Sequence, residues 1–190
     1  MRSWPTVYIP ELSERFEVPQ LSLFNSANSA LSPVPKQDTY RIYVCGITPY
    51  DATHLGHAAT YLIFDVMIRY LKASGADVKF VQNITDIDDP LLERAIRDGV
   101  DWQELANSQI ELFRGDMSDL HVIPPDHYIG VVEAMPLVID AVTKLDEKKS
   151  TYLVQGDKYF RVHSDPHFGE RSHFNEVDAL KIFAERGGDP

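Results

Sequence analysis

Apolar and polar residues alternate along Tyr40-Arg41-Ile42-Tyr43-Val44-Cys45, a stretch rich in β-formers, which predicts a strand closed by Gly46. From about Gly56 to Ser74 the period lengthens. Tyr61, Phe64, Ile68 and Leu71 recur at three- and four-residue steps, the mark of a helix with one buried face, and Gly75 is placed as its C′ stop. Val78-Lys79-Phe80-Val81-Gln82-Asn83 reads as the next strand. Strand, helix and strand over 40–83 make a βαβ unit, which implies parallel strands and a right-handed crossover. Ligands in such sheets sit at the carboxyl ends of the strands. The loop from Cys45 to His57 and the loop from Asn83 to Asp89 are therefore predicted to converge on one edge.

Around this unit the pattern is more broken. Residues 1–20 are proline-interrupted and read as an extended arm. Leu21-Ser22-Leu23-Phe24-Asn25-Ser26 reads as a short strand entering a turn, and Ser32-Pro33-Val34-Pro35 as a breaker. Asp88 or Asp89 with Pro90 predicts the start of a helix ending near Gly99, and Asp101 caps another over roughly 102–120. Ile123-Pro124-Pro125 breaks the chain. A helix is predicted over 128–145, with Pro136 able to kink it. Strands at 151–154 and 159–162 flank Gly156-Asp157, a hairpin signal, and 178–185 is a last short helix. The expected organisation is an arm and hairpin over 1–39, the first half of an α/β catalytic domain over 40–122, and a further helix with the start of a connective region over 123–190.

Composition narrows the function classes. Of 190 residues, 44% are apolar, enough for a sizeable core. No run approaches the ~20 apolar residues of a membrane helix, and Met1-Arg2-Ser3-Trp4-Pro5 lacks the apolar region of a signal peptide. The single cysteine, Cys45, excludes an intrachain disulfide and fits a reducing cytoplasm. A net charge of -11 argues against a basic nucleic-acid surface in this portion.

The chemistry centres on His54-Leu55-Gly56-His57. A helix start presents free N–H groups and a partial positive charge, which suits a phosphate. Gly56 lets a nucleotide approach the backbone. The imidazoles at i and i+3 can donate to α-phosphate oxygens as charge builds during adenylation. On these four residues alone, a capping loop with two surface histidines is the plainer reading. For Cys45 alone, the plainer reading is a small buried residue at a strand end. Asp86, Asp88 and Asp89 do not make a calcium loop, because Leu91 and Arg97 stand where it needs Gly and Glu. Asp88 and Asp89 are read as capping and ion-pairing residues, and Thr85 as the better candidate for a ligand contact. His163, His167 and His173 are read as surface residues, 116–119 as a solvated helix face, and Tyr61, Phe64 and Ile68 as core.

Longer blocks change those odds. Residues 43–60, YVCGITPYDATHLGHAAT, closely resemble the cysteinyl-tRNA synthetase family, which carries YVCGPTVYD and then HIGHART. Asn83-Ile84-Thr85-Asp86-Ile87-Asp88-Asp89 is similar to that family's NITDIDDK block. Pro124-Pro125-Asp126 and Lys158-Tyr159-Phe160-Arg161-Val162 echo its later landmarks. The resemblance covers roughly 21–175. The departures are Ile47-Thr48-Pro49, Ala59 in place of Arg, Pro90 in place of Lys, and Tyr128-Ile129-Gly130-Val131-Val132-Glu133-Ala134 in place of PRATEHI. Each resembles the cysteine:glucosaminyl-inositol ligase branch, whose CGITPYDATHLGHAATY and ERGGDP motifs stand intact, the latter as Glu185-Arg186-Gly187-Gly188-Asp189-Pro190.

The resemblance implies a Rossmann-like HIGH-superfamily α/β fold with a parallel sheet, truncated here, plus part of the connective region. It implies an ATP-dependent, AMP-forming ligase that makes cysteinyl adenylate from L-cysteine and ATP with Mg2+, then acylates the amine of glucosaminyl-inositol, with no tRNA and no membrane. By the resemblance, His54 and His57 are catalytic. Cys45, Gly46, Ile47, Thr48, Gly56, Thr60, Asn83, Ile84 and Thr85 line the adenylate site. Cys45 is a ligand of one Zn2+ whose other ligands are expected beyond residue 190, and 185–190 is a family motif without an assigned role, a candidate for pocket shaping whose two glycines also read as a tight turn. A zinc suits the substrate, since a thiolate binds it at about 2.3 Å and an open position accepts the substrate sulfur. Serine, with a hard and weakly acidic hydroxyl, is rejected. With no KMSKS-like loop in the sequence, the chain is expected to be a piece of a longer protein with little or no turnover alone. A divergent cysteinyl-tRNA synthetase and a catalytically silent adenylate-binding module are the alternatives.

Overall fold

A computed structural model describes residues 1–10 and 18–185, and its contacts divide the chain into two units. The first comprises Met1–Pro19 and Lys36–Leu137. At its centre, β3 (Thr39–Val44), β4 (Asp77–Ile84) and β5 (His127–Gly130) form a parallel sheet in the order β3-β4-β5. Helix α1 (Leu55–Ala73) makes the crossover from β3 to β4, as the sequence periodicity predicts. Gly75, at φ +86, follows the C-cap Ser74 and ends α1 in a conformation that glycine adopts freely.

The predicted helix over 128–145 is corrected. Residues 127–130 are the strand β5, and α4 (Val131–Glu147) follows with no intervening loop. Tyr128 and Gly130 face inward, while His127 and Ile129 face out. Asp126 locks the strand to its neighbour: Phe80 N donates to Asp126 Oδ2 at 2.7 Å, and Asp126 N donates to Phe80 O at 2.8 Å. The α4 start is served from a distance by buried Asp86, whose Oδ1 accepts from Val132 N at 3.0 Å. A Cβ on Gly130 would stand 2.4 Å from Asp86 Oδ2, so any larger residue here would have to displace the carboxylate that caps α4.

Strand β4 alternates cleanly. Val78, Phe80, Gln82 and Ile84 are buried, and the residues between them are more open. Beneath the buried face pack Tyr61, Ile68 and Leu71 of α1 and Ala106, Ile110, Phe113 and Met117 of α3 (Trp102–Asp119). Asp101 caps α3 through Gln103 N and Glu104 N. Helix α2 (Asp89–Asp98) starts at the cap Asp88 with Pro90 in its first turn, and Gly99 ends it in the left-handed region. The N-terminal arm has no regular structure in its described part, yet it is anchored. Trp4 is buried, donates from Nε1 to Val122 O at 2.8 Å, and meets Phe113 and Tyr128 edge-on.

The second unit comprises Gln20–Pro35 and Val138–Pro190. Its strands β1 (Ser22–Asn25) and β2 (Ala30–Pro33) form an antiparallel hairpin. The breaker expected at 32–35 therefore gives way in part to a strand, with Pro33 at its last position, where a two-stranded edge tolerates it. A second hairpin joins β6 (Thr151–Val154) to β7 (Asp157–Phe160). Its two turn residues are Gln155 and Gly156, both at positive φ, so the turn lies one residue earlier than the predicted Gly156-Asp157 pair. Tyr152 stacks on Tyr159 across this hairpin, with the Arg161 guanidinium over the Tyr152 ring. Helix α5 (Glu176–Glu185) follows, and Tyr159 meets its Phe183 edge-on. Of the motif at 185–190, only Glu185 falls within the described residues. Among the described residues, no helix is long and apolar enough to cross a membrane.

Candidate active site

The carboxyl ends of β3 and β4 meet at Gly46 and Asn83. Gly46 N donates to Asn83 Oδ1 at 2.9 Å, and Tyr43 OH donates to the same oxygen at 2.9 Å. A Cβ on Gly46 would stand 1.6 Å from the Asn83 carbonyl oxygen, so only glycine fits. One residue on, Thr85 N donates to Ile47 O at 3.0 Å, and Asn83 Nδ2 donates to Thr85 Oγ1 at 3.4 Å. Thr48 Oγ1 lies 3.5 Å from Asp88 Oδ2. The two loops expected to converge are thus joined by hydrogen bonds along their first residues.

Cys45 is exposed at the head of this seam, so the reading as a small buried residue does not hold. Its backbone carbonyl accepts from Tyr61 OH at 3.2 Å. Burial, and then the nearby Cys45, push the Tyr61 phenol up to about 12, which keeps it a neutral donor. Tyr43 is also raised, first by desolvation and then by Cys45, which places the thiol beside the Tyr43 phenol. Neither tyrosine stands out in the sequence as a site residue. Tyr61 carries the periodicity of a core position, and its ring is indeed buried against Phe113.

The loop then runs to α1, whose N-cap is His54. The two histidines form a reciprocal capping box. Gly56 N donates to His54 Nδ1 at 3.0 Å, and His54 N donates to His57 Nδ1 at 3.2 Å. Their rings lie 4.2 Å apart. An imidazole that accepts at Nδ1 is neutral and carries its proton on Nε2. Both rings therefore hold an Nε2–H donor beyond the capping bonds, at a helix start with no acidic residue in its first turn. Desolvation, and then the neighbouring His54, lower the pKa of His57, which favours this neutral form. A Cβ on Gly56 would stand 2.8 Å from His54 Cε1. The glycine thus makes room for the first imidazole as well as opening the backbone.

Other predicted residues are placed differently. The side chains of Ile47 and Ile84 are buried in the core, so only the backbone of these two predicted positions is open to the loops. Thr60 is exposed on α1 and donates to Gly56 O at 3.1 Å. Asp116, expected on a solvated face, is half-buried and accepts a hydrogen bond from Thr53 Oγ1. Among the described residues, no three His, Cys, Asp or Glu side chains group as a metal site, so Cys45 offers zinc one thiolate and not a full set. A depression lined by Tyr50, Asp51, Pro90, Glu93, Arg94 and Arg97 takes two residues of the 47–57 span, expected to form the HIGH region, and none of the residues expected to line the adenylate site. Its cations are already paired. Arg94 bonds Asp98 and lies 3.4 Å from Asp51, and Arg97 and Arg94 hold Asp98 at about 2.

The chain has known relatives. Residues 32–187 match the family described as tRNA synthetases class I (C) catalytic domain. The chain is 53% identical over its whole length to the L-cysteine:1D-myo-inositol 2-amino-2-deoxy-alpha-D-glucopyranoside ligase 2 of Corynebacterium jeikeium, and covers 46% of it. It is 50% identical to the ligase of the same name from Thermomonospora curvata, and covers 47%. The chain thus spans about half the length of these relatives. Among solved structures, methionyl-tRNA synthetase of Mycobacterium tuberculosis in complex with methionyl-adenylate matches at a TM-score of 0.57 and 17% identity, over 81% of this chain and 40% of that one. At that identity the likeness concerns the fold alone. By the match over most of its length, the chain belongs to the class I (C) tRNA synthetase catalytic-domain family.

Proposed function

We propose that the full-length protein is an ATP-dependent ligase that activates L-cysteine and transfers it to the amine of glucosaminyl-inositol, in the cytoplasm and without tRNA. The observation that carries the reading is the reciprocal His54–His57 capping box, which leaves two Nε2–H donors at the start of α1, at the end of the loop that begins with the Cys45–Gly46 turn. The names of the relatives supply the acceptor.

In the first step, a cysteine carboxylate oxygen attacks the α-phosphorus of ATP, presented as its Mg2+ complex, and pyrophosphate leaves. His54 and His57 donate from Nε2 to the non-bridging α-phosphate oxygens, where negative charge grows in the transition state. The N–H groups at the start of α1 add to this field. The adenylate lies along Cys45, Gly46, Thr48, Gly56, Thr60, Asn83 and Thr85, with Ile47 and Ile84 contributing backbone. In the second step, the acceptor amine attacks the cysteinyl carbonyl carbon, AMP leaves, and the amine loses a proton. A zinc ion held by Cys45, with further ligands outside the described residues, would bind the substrate sulfur and so reject serine. The motif at 185–190 is proposed to shape the acceptor side.

The family's own name favours a second reading, charging of tRNA with cysteine. Release of AMP by the full-length protein, with ATP, cysteine and zinc, separates the two. Turnover with glucosaminyl-inositol and none with tRNA is expected. Charging of tRNA alone would overturn the acceptor. An absence of cysteine-dependent turnover with either would leave a silent adenylate-binding module.

A further inference from the structure

We propose that Asp116 is a positioning residue for adenylate formation: from α3 it holds Thr53, and through Thr53 it fixes the entry of His54 into α1. The inference rests on the proposed cysteine activation and concerns a residue outside the sequence motifs. Thr53 Oγ1 donates to Asp116 Oδ2, and both residues are half-buried. Thr53 immediately precedes His54, whose backbone is extended (φ -134, ψ 175) and whose N–H points to His57 Nδ1. Any rotation of the peptide between Thr53 and His54 swings that N–H away and opens the box. The first N–H groups of a helix have no partner within it, so the start of α1 frays unless the residue before it is held.

The rest of α3 supports this geometry. Phe113 lies three residues before Asp116 and so shares its face. It is fully buried and meets Tyr61 edge-on at 5.1 Å. Tyr61 in turn lies one turn beyond His57 on α1. α3 therefore grips α1 on either side of His57, by a hydroxyl–carboxylate bond before it and an aromatic contact after it. Further along, buried Asp65 accepts from Ile123 N at 2.8 Å and from Arg69 Nε at 2.7 Å, and Arg69 Nη2 donates to His121 O at 2.7 Å. The segment 113–123 thus holds α1 and its entry through four contacts, of which only the Asp116 bond acts directly on the histidine entry.

The test is a double-mutant cycle in the full-length protein, read by cysteine-dependent exchange of pyrophosphate into ATP and by amide hydrogen exchange at Gly56 and His57. Thr53→Val keeps the shape and removes the donor. Asp116→Ala removes the acceptor, and Asp116→Asn keeps an acceptor oxygen. A misplacement of about 1 Å costs on the order of 100-fold in rate. Thr53→Val and Asp116→Ala are therefore each expected to lower kcat about 100-fold, with KM for cysteine little changed. The double variant is expected to be no worse than either single one, and Asp116→Asn to recover most of the loss. Amide exchange at Gly56 and His57 should quicken in Thr53→Val and in Asp116→Ala. Should Asp116→Ala fail to fold, Thr53→Val carries the test. Additive losses, an unchanged kcat, or slow amide exchange in Thr53→Val would overturn the proposal. A wild-type protein without cysteine-dependent exchange would instead sink the proposed function, and the amide measurement would still decide the Asp116 contact.

Discussion

Gly46 and Asn83 are in such close contact that the missing Cβ of one would occupy the carbonyl oxygen of the other, 1.6 Å away. The same pair is bonded in the other direction, by Gly46 N to Asn83 Oδ1. The turn that presents Cys45 and the strand end that presents Thr85 are consequently one structural object.

Gly46→Ala should force β3 and β4 apart. The clash is with backbone, which cannot rotate aside, so the loss should reach at least the roughly 1–3 kcal/mol typical of overpacking. Urea unfolding of the full-length protein checks it, and an unchanged midpoint would refute the contact.

A glycine elsewhere gives the opposite expectation. Gly115 sits exposed inside α3, and a Cβ there would meet nothing within 4 Å. Gly115→Ala should raise stability by about 0.5–1 kcal/mol, because alanine loses less backbone freedom on entering a helix. The midpoint of thermal or urea unfolding reports the gain.

Asp65 should behave as a pin. It is 6% exposed and accepts both a backbone N–H and the Arg69 guanidinium. Asp65→Ala leaves Ile123 N without its partner and should lower stability by about 1.5–3 kcal/mol, the range for hydrogen bonds to a charged group. Loss of protection at the Ile123 amide, in hydrogen exchange, would locate the effect.

Acid should undo the histidine box. His57 has a pKa below 6.5 in the folded chain, chiefly from desolvation and then from His54. Below 6.5 the unfolded chain takes up the proton first. The stability from neutral His57 is therefore complete above 6.5 and is lost as pH falls through the folded value. Protonation at Nδ1 also removes the acceptor for His54 N and places a positive charge at the positive end of α1. Nitrogen chemical shifts of the ring should show an Nε2–H tautomer at neutral pH, and amide exchange at His54 should quicken as the ring titrates. An Nδ1–H tautomer, or a His57 pKa above 6.5, would refute the box.

The β3–α1–β4 unit and its loops are legible in the sequence because local period and position carry them. Strand β5 is not. It is four residues long, and Gly130 passes straight into Val131 of α4, so no breaker separates the two patterns. The hairpin strand β2 is masked in the same way by Pro33, which reads as an interruption before its edge position is known. At the site, the motif residues are visible and their supports are not. The Thr53–Asp116 bond spans 63 residues, and the Tyr61 hydroxyl reaches back 16 residues to Cys45. Nothing in the periodicity of α3 or α1 distinguishes a side chain that touches the site loop from one that meets solvent or core.

The most direct measurement is pyrophosphate exchange into ATP by the full-length protein, with cysteine, serine and methionine compared at equal concentration. Exchange that depends on cysteine, and is lost in a variant with both His54 and His57 replaced by alanine, is the predicted result. Exchange with serine as fast as with cysteine, or cysteine-dependent exchange that survives loss of both imidazoles, would contradict the account.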